Sequence, residues 1–321
     1  IIMQFSEDTV KLLNQVNQVY PGSVVLRGSG EATGKLTHDQ VSTDMLGTRL
    51  MVEVTDATAP DFSATQELLN MMLTLSGYPQ VYFQLKSEDI NMTDQLMVMS
   101  TYLYQPALRA ITYKEQAKHG LVTAAVVKAF ANGVMSTLTP EANNDRSEAA
   151  LRLLTLLDAR VFMNAVPTDI DTAIYTDSFA DAFPEAWEAA GHIFATMKVD
   201  DIKDPFTVHR AVIAAFKGFD AQMIAWNLPE LKALEFATLT PVLSERQLRL
   251  PLAQVFDIKH TEMTDRNTEK SAYVGLSKSE GQNSFVISAP DENQPEFFKA
   301  LYQTPVREVL EQIGQPFVVR Q

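Results

Sequence analysis

The spacing of hydrophobic residues predicts that most of the first 250 residues are helical. Residues 6–20, "SEDTVKLLNQVNQVY", begin with a serine cap and acidic residues, and then carry valine and leucine on one helical stripe. A long apolar helix is predicted from about Phe62 to Leu75. Two later helical stretches meet at Pro106, which either begins the second helix or kinks one longer helix. From about 147 to 227 the helical pattern is almost unbroken, which predicts a bundle-like region.

Strand-like patterns lie near the two ends of the chain. Residues 23–30 and 48–56 predict strands of a small sheet, and the polar stretch between them is either a loop or a third strand. Near the C-terminus, alternating apolar residues predict a hairpin from 271 to 290, followed by a helix from 295 to 314. A short strand closes the chain. These patterns predict a mostly helical α+β protein with a small N-terminal sheet, a helical middle, and a C-terminal hairpin and helix.

Polar segments suggest where the chain divides. The segment "PEANNDRSE" at 140–148 is a break between helical stretches, and the pattern changes from helix to strand near 250. We therefore expect three regions, 1–140, 141–250 and 251–321.

Charge and composition exclude several classes of function. A formal net charge of −14 and an isoelectric point near 4.8 argue against a nucleic-acid partner, which would need clustered Lys and Arg. The chain has no cysteine, which excludes thiol chemistry and fits a cytoplasmic protein. No apolar run is long enough to span a membrane, and the N-terminus lacks the pattern of a signal peptide, so we expect no membrane partner. Two isoleucines precede Met3, so the first residues need not be the biological start.

The predicted helix from Phe62 to Leu75 carries a motif with the outline of a zinc-peptidase site. HExxH peptidases place two zinc-binding histidines four residues apart on a helix, with a glutamate that acts as base between them. The corresponding positions here are Gln66, Glu67 and Asn70. The glutamate is retained, but amides are poor zinc ligands beside imidazole. The sequence therefore predicts that tight zinc binding is lost and that no cofactor is needed.

The surrounding sequence resembles a known family. Residues 56–85, "DATAPDFSATQELLNMMLTLSGYPQVYFQL", resemble the "tHELLHLLmtLsGyPQ" pattern of uncharacterised lactobacillar proteins labelled "IpaB/EvcA family". The order of helix, strands and motif helix is similar to the start of gluzincin-type metallopeptidase domains. The resemblance implies that 1–140 is a degenerate metallopeptidase-like domain with zincin-like helices. It implies former metal positions at Gln66 and Asn70, with a third near Arg109, and a vestigial catalytic role for Glu67.

These residues lead to one leading hypothesis and two alternatives. We expect Arg109 to supply the positive charge that zinc once did and to form a buried or half-buried ion pair with Glu67. The protein would then be a catalytically inactive metallopeptidase-like protein that acts by binding a protein or peptide, or by a structural role. An active hydrolase that uses Glu67 as acid or base is the first alternative. An acidic helical scaffold for a protein partner is the second.

Other candidate sites are weaker. No two of the five histidines lie three or four residues apart, and the nearest seeds of a metal site are His38 with Asp39 and His260 with Glu262. His119 fits a cation at a helix C-terminus. The chain has no G-x-S-x-G elbow and no P-loop register, so a serine hydrolase and a P-loop nucleotide site are not expected.

Overall fold

The structure is a computed structural model that describes residues 2–143 and 145–321. Among the residues it describes, 53% are helical and 17% lie in strands, which confirms the mostly helical α+β prediction. The helices are α1 (Glu7–Val19), α2 (Pro60–Leu75), α3 (Ile90–Lys118), α4 (Ala124–Thr137), α5 (Ala149–Ala165), α6 (Ala173–Ala182), α7 (Pro184–Met197), α8 (Pro205–Ala225), α9 (Ala233–Phe236), α10 (Glu245–Arg249), α11 (Gln294–Gln303) and α12 (Val306–Ile313). The strands are β1 (Ser23–Gly28), β2 (Val41–Leu46), β3 (Arg49–Val54), β4 (Val81–Tyr82), β5 (Leu85–Lys86), β6 (Thr238–Leu239), β7 (Val242–Ser244), β8 (Phe256–Asp265), β9 (Ser271–Ser277), β10 (Asn283–Ser288) and β11 (Val318–Arg320).

Prolines in three predicted helical stretches have different outcomes in the structure. Pro106 lies inside α3, so the two predicted stretches form one longer helix. By contrast, the helical pattern predicted from about 147 to 227 is interrupted at Phe183, and Pro184 begins α7. The C-terminal helix is likewise divided, with Pro305 preceding α12. Proline is favoured at the start of a helix and disrupts its interior, so only packing decides which outcome applies.

The chain forms two compact units, each built from two separate segments. Unit 1 contains residues 1–76 and 106–195, and unit 2 contains residues 77–105 and 196–321. Helix α3 thus contributes its first part to unit 2 and its second part to unit 1. The expected regions 1–140, 141–250 and 251–321 are consecutive, whereas each unit combines two separate segments of the chain.

Unit 1 contains a three-stranded sheet against which α1 and α2 pack. Its strand order is β1-β3-β2, with β1 parallel and β2 antiparallel to β3. A third strand was one of the two alternatives for the polar stretch at 30–40, and β2 begins directly after that stretch, at the exposed edge of the sheet. The two helices and the sheet share an apolar cluster, which consists of Val16, Val24, Val52, Leu68 and Met71. Helix α2 therefore packs on the sheet because both elements have an apolar face that must be buried.

An aromatic cluster forms the helical part of unit 1. Phe130 of α4 stacks on Phe162 of α5 with ring centroids 3.9 Å apart, and Tyr113 of α3 meets Phe162 edge to face at 5.2 Å. Both geometries are favourable for aromatic pairs, and buried rings add a large apolar area. The backbone of Leu36 lies so close to Gly133 of α4 that a Cβ on this glycine would be 1.8 Å from the Leu36 carbonyl oxygen. This contact holds the segment after β1 against α4.

Unit 2 contains a four-stranded antiparallel sheet with the order β10-β9-β8-β5. Strands β9 and β10 form the predicted hairpin. Phe256 and Phe285 meet at 5.4 Å inside an apolar cluster to which α12 contributes Val306, Val309 and Leu310. Two short pairs, β11 with β7 and β4 with β6, complete the strands of this unit. No described helix has the length and apolar character that crossing a membrane requires.

Candidate functional site

Helix α2 presents different chemistry on different sides. It begins at Pro60, which suits the first turn of a helix, and ends before Gly77, whose φ of +81° favours glycine. Leu68 is fully buried against the sheet. Successive helical residues are rotated by about 100°, so Glu67 lies away from the sheet side that Leu68 occupies. The packing of α2 on the sheet thus determines where the motif residues lie.

The two positions that the resemblance assigns to histidine carry half-buried amides. The Gln66 Nε2 atom donates a hydrogen bond of 2.8 Å to the Thr112 Oγ1 atom on α3. The Gln66 Oε1 atom is buried and accepts no hydrogen bond from the part of the chain that the structure describes. Asn70 lies one turn later on the same helix. Gln66 therefore joins α2 to α3.

Glu67 is half-buried beside a positive charge. Burial raises the pKa of its carboxyl group, and the charge of Arg109 on α3 opposes that rise without reversing it. No hydrogen bond or close ion pair of the Glu67 side chain is found within residues 2–143 and 145–321. Glu67 is thus a carboxyl group that holds its proton more tightly than an exposed glutamate does.

Arg109 makes its ion pair with Asp158 of α5. The distance from the Arg109 Nη1 atom to the Asp158 Oδ1 atom is 3.2 Å, and the two side chains are 12% and 9% exposed. The sequence predicted a pair with Glu67 instead. Arg109 acts on Glu67 through its charge, while its hydrogen-bonded carboxylate partner is Asp158. A buried carboxylate needs such a partner, and Asp158 is the more deeply buried of the two acids.

Asp158 is the centre of a group of four polar residues, which we call the Asp158 cluster: His38, Arg109, Tyr113 and Asp158. The Tyr113 hydroxyl donates to both carboxylate oxygens at 3.1 Å. The His38 Nε2 atom lies 2.7 Å from the Asp158 Oδ2 atom. One carboxylate therefore connects α5, α3 and the segment after β1.

The electrostatics of this cluster keep Asp158 ionised. Burial alone would raise its pKa, but the charges of Arg109 and His38 and the hydrogen bonds from His38 and Tyr113 together lower the pKa well below its usual range. The pKa of Tyr113 is raised, first by burial and then by the Asp158 charge, so this hydroxyl remains a donor. The cluster is a fixed arrangement of one anion and its donors.

Local structure brings His38 to this place. Thr37 caps a short 3₁₀ turn formed by residues 38–40, and its backbone N–H donates to the Gln40 side chain at 3.2 Å. The Leu36 N–H donates to the Ala129 carbonyl oxygen on α4 at 2.9 Å. The His38 ring also meets Phe130 edge to face at 6.4 Å. The segment is therefore held by backbone contacts before the His38 side chain reaches Asp158.

Asp158 and Tyr113 were not predicted from the sequence, and His38 was considered only beside Asp39. Asp158 is the single acidic residue within the apolar run "LRLLTLLDARVF", and this placement is the signal that a buried partner is needed. His260 lies elsewhere, on β8 of unit 2, where its ring contacts the Ser271 hydroxyl at 2.6 Å. No group of three or more His, Asp or Glu side chains suited to hold a metal ion occurs within the described ranges.

No protein-family model, curated protein or solved structure matches this chain. The resemblance to metallopeptidase-like proteins therefore remains a hypothesis that rests on the motif residues.

Proposed function

We infer that this protein is a metallopeptidase-like pseudoenzyme that works by binding a peptide or protein rather than by zinc-dependent hydrolysis. The observation that supports this function is the position of Arg109. Its guanidinium is near the place where the resemblance expects a third metal ligand, and its positive charge acts on the retained Glu67. The charge once supplied by a cation would now come from the protein itself.

The residues at the expected metal positions do not fit a zinc ion. Gln66 donates its amide to Thr112, and Asn70 offers a second neutral amide. Arg109 has only donors and is paired with Asp158. Zinc favours imidazole, thiolate and carboxylate ligands. No catalytic step through a metal is therefore derived for this site.

Zinc content and peptidase activity test the proposal directly. The purified protein should contain far less than one zinc per chain after dialysis with zinc, and it should cleave no peptide in a mixed-peptide library. Stoichiometric zinc together with peptide cleavage would refute the proposal.

Restoring the histidines tests the inherited geometry. The double variant Gln66→His with Asn70→His should bind zinc roughly tenfold more tightly than a matched pair, Asn70→His with Thr74→His, because Glu67 lies beside only the first pair. Thr74 is exposed and has the same four-residue spacing from Asn70. Equal zinc affinity of the two variants, measured by competition with a chromogenic chelator, would show that the 66/70 side has no inherited site.

A second function is supported by the raised pKa of Glu67. A carboxyl group whose pKa is raised by burial is suited to act as a general acid, so a metal-independent hydrolase is the alternative. Under this alternative, a screen of ester and glycoside substrates should find an activity that Glu67→Gln abolishes. The pseudoenzyme proposal expects no such activity.

The absence of cysteine fits a cytoplasmic location, which remains part of this proposal. Fractionation of the producing cell would test it.

A further inference from the structure

Unit 1 contains a cavity between α1, α2 and the second part of α3. Its volume is about 490 Å³, within the range of roughly 300–1,000 Å³ that is usual for small-molecule sites. Much of its wall is apolar and includes Leu12, Leu69, Leu73 and Ile111. The cavity is large enough for a small molecule with a hydrocarbon or aromatic body.

One buried polar side chain in the cavity wall has an unused hydrogen-bond acceptor. Gln116 of α3 is 1% exposed. Its Nε2 atom donates to the Phe62 carbonyl oxygen at 2.8 Å and to the Thr65 Oγ1 atom at 2.9 Å, which determines the orientation of the amide. The Gln116 Oε1 atom accepts no hydrogen bond from any described residue. A buried acceptor without a donor is costly, and Gln116 lines the cavity, so a ligand group that donates to this amide would offset the cost.

The other buried hydroxyl groups of the wall already use their hydrogens. The Thr65 Oγ1 atom donates to the Asp61 carbonyl oxygen at 2.6 Å. The Thr112 Oγ1 atom accepts from Gln66 and lies 3.4 Å from the Arg109 carbonyl oxygen, to which it donates. The unmet hydrogen-bonding capacity of the wall is therefore that of an acceptor, and a complementary ligand must bring a donor.

Charges at the rim of the cavity are paired with one another. Lys11 lies 3.2 Å from Asp8, and His119 lies 3.0 Å from Glu115. The charge of Lys11 is balanced by Asp8, and the Glu115 carboxylate is in contact with the His119 ring, so the rim has no excess positive charge that would attract an anion. A neutral ligand is the simplest match.

We propose that this cavity binds a neutral amphipathic small molecule, whose apolar body fills the space and whose hydroxyl or N–H group donates to the Gln116 Oε1 atom. This site is separate from the Asp158 cluster. It does not depend on whether α2 descends from a zinc peptidase.

Two isomeric probes test the required donor. 1-Octanol and heptyl methyl ether have the same atoms and similar apolar bodies, but only the alcohol can donate a hydrogen bond. Titration of each into the isotopically labelled protein, followed by NMR chemical shifts, gives the two dissociation constants. 1-Octanol should bind about fivefold more tightly than the ether, the effect expected of one net hydrogen bond. Equal affinities in the unmodified protein, or the absence of saturable binding, would overturn the proposal.

Variants test whether the probes bind in this cavity and whether the alcohol donates to Gln116. Leu69→Phe reduces the cavity and should weaken both probes about tenfold or more, whereas Leu75→Phe on the same helix should change neither, because Leu75 is 38% exposed and does not line the cavity. Gln116→Met should remove the preference for the alcohol. Unchanged binding in Leu69→Phe would place the probes elsewhere and refute the proposal. If Gln116→Met fails to fold, the comparison of the two isomers in the unmodified protein still decides.

Discussion

Replacement of Asp158 by asparagine should strongly destabilise unit 1. The substitution keeps the size of the side chain but removes the charge that balances Arg109. It also weakens the acceptor used by Tyr113 and His38. Arg109 would remain largely buried in the folded state after the Asp158 carboxylate is replaced.

The magnitude follows from the burial of the pair. Arg109 and Asp158 are 12% and 9% exposed, so water screens their interaction little. Removing one partner of such a pair costs about 3–5 kcal/mol of unfolding free energy. His38 is 36% exposed, so its contact adds less. For a unit of this size, about 2–4 °C per kcal/mol corresponds to a loss of roughly 6–20 °C in melting temperature.

The two tryptophans allow the transition of unit 1 to be measured separately. Trp187 lies on α7 in unit 1, where its ring is 3.7 Å from the Arg160 guanidinium carbon, while Trp226 follows α8 in unit 2. In a Trp226→Phe background, urea unfolding followed by fluorescence therefore reports on Trp187. Asp177→Asn is the matched control, because Asp177 is exposed on α6 of the same unit.

The pH dependence adds a second criterion. Because the folded state lowers the pKa of Asp158, its contribution is complete above the unfolded value of about 3.9 and is lost as pH falls below it. The difference between the unmodified protein and Asp158→Asn should therefore be largest at neutral pH and decrease below about pH 4. A destabilisation under about 1 kcal/mol at pH 7, or an equal effect of Asp177→Asn, would refute the role assigned to this pair.

Three further predictions concern other buried groups. The Glu67→Gln variant should become more stable relative to the unmodified protein as pH rises above about 4.3, because the raised pKa of Glu67 makes its ionisation unfavourable in the folded state. A difference in urea midpoint that stays constant from pH 4 to 8 would contradict this. Gly133→Ala should destabilise unit 1 by about 1–3 kcal/mol, because the added methyl group meets the Leu36 carbonyl oxygen. In an open helix the same change is stabilising, so the sign of the change in thermal unfolding tests the contact. Burial lowers the pKa of His209 to about 4, so the free energy of unfolding of unit 2 should fall by about 3 kcal/mol as pH decreases from 6.5 to 4. The His209→Phe variant should lack this pH dependence in urea titrations followed by the fluorescence of Trp226.

The candidate site was only partly predictable from the sequence. The sequence indicated the motif at Gln66, Glu67 and Asn70 and predicted an ion pair between Arg109 and Glu67, whereas in the structure the charge of Arg109 only opposes the rise in the pKa of Glu67. The hydrogen-bonded carboxylate of Arg109 was not predicted. Asp158 and His38 are 120 residues apart along the chain, and no local pattern indicates that they meet.

The elements of the fold were more accessible than their partners. The helical stripe of α1, the apolar run of α2 and the C-terminal hairpin follow from spacings of a few residues, because helix and strand periodicity is a local property. The division between α6 and α7 was missed, and the edge strand β2 begins just after the stretch for which a third strand was left open. Their boundaries depend on neighbours that local periodicity does not reveal.

By itself, the sequence determined which segments are helical or extended, that the surface is acidic, and that the motif on α2 lacks histidines. Only the tertiary structure decided that α3 contributes to both units, that Asp158 rather than Glu67 pairs with Arg109, and that an unused acceptor of Gln116 borders a cavity. The physical reason is that periodicity records how much of a segment must be buried. Which charged and polar groups meet inside depends on contacts between segments far apart in sequence, where each buried group must find a partner.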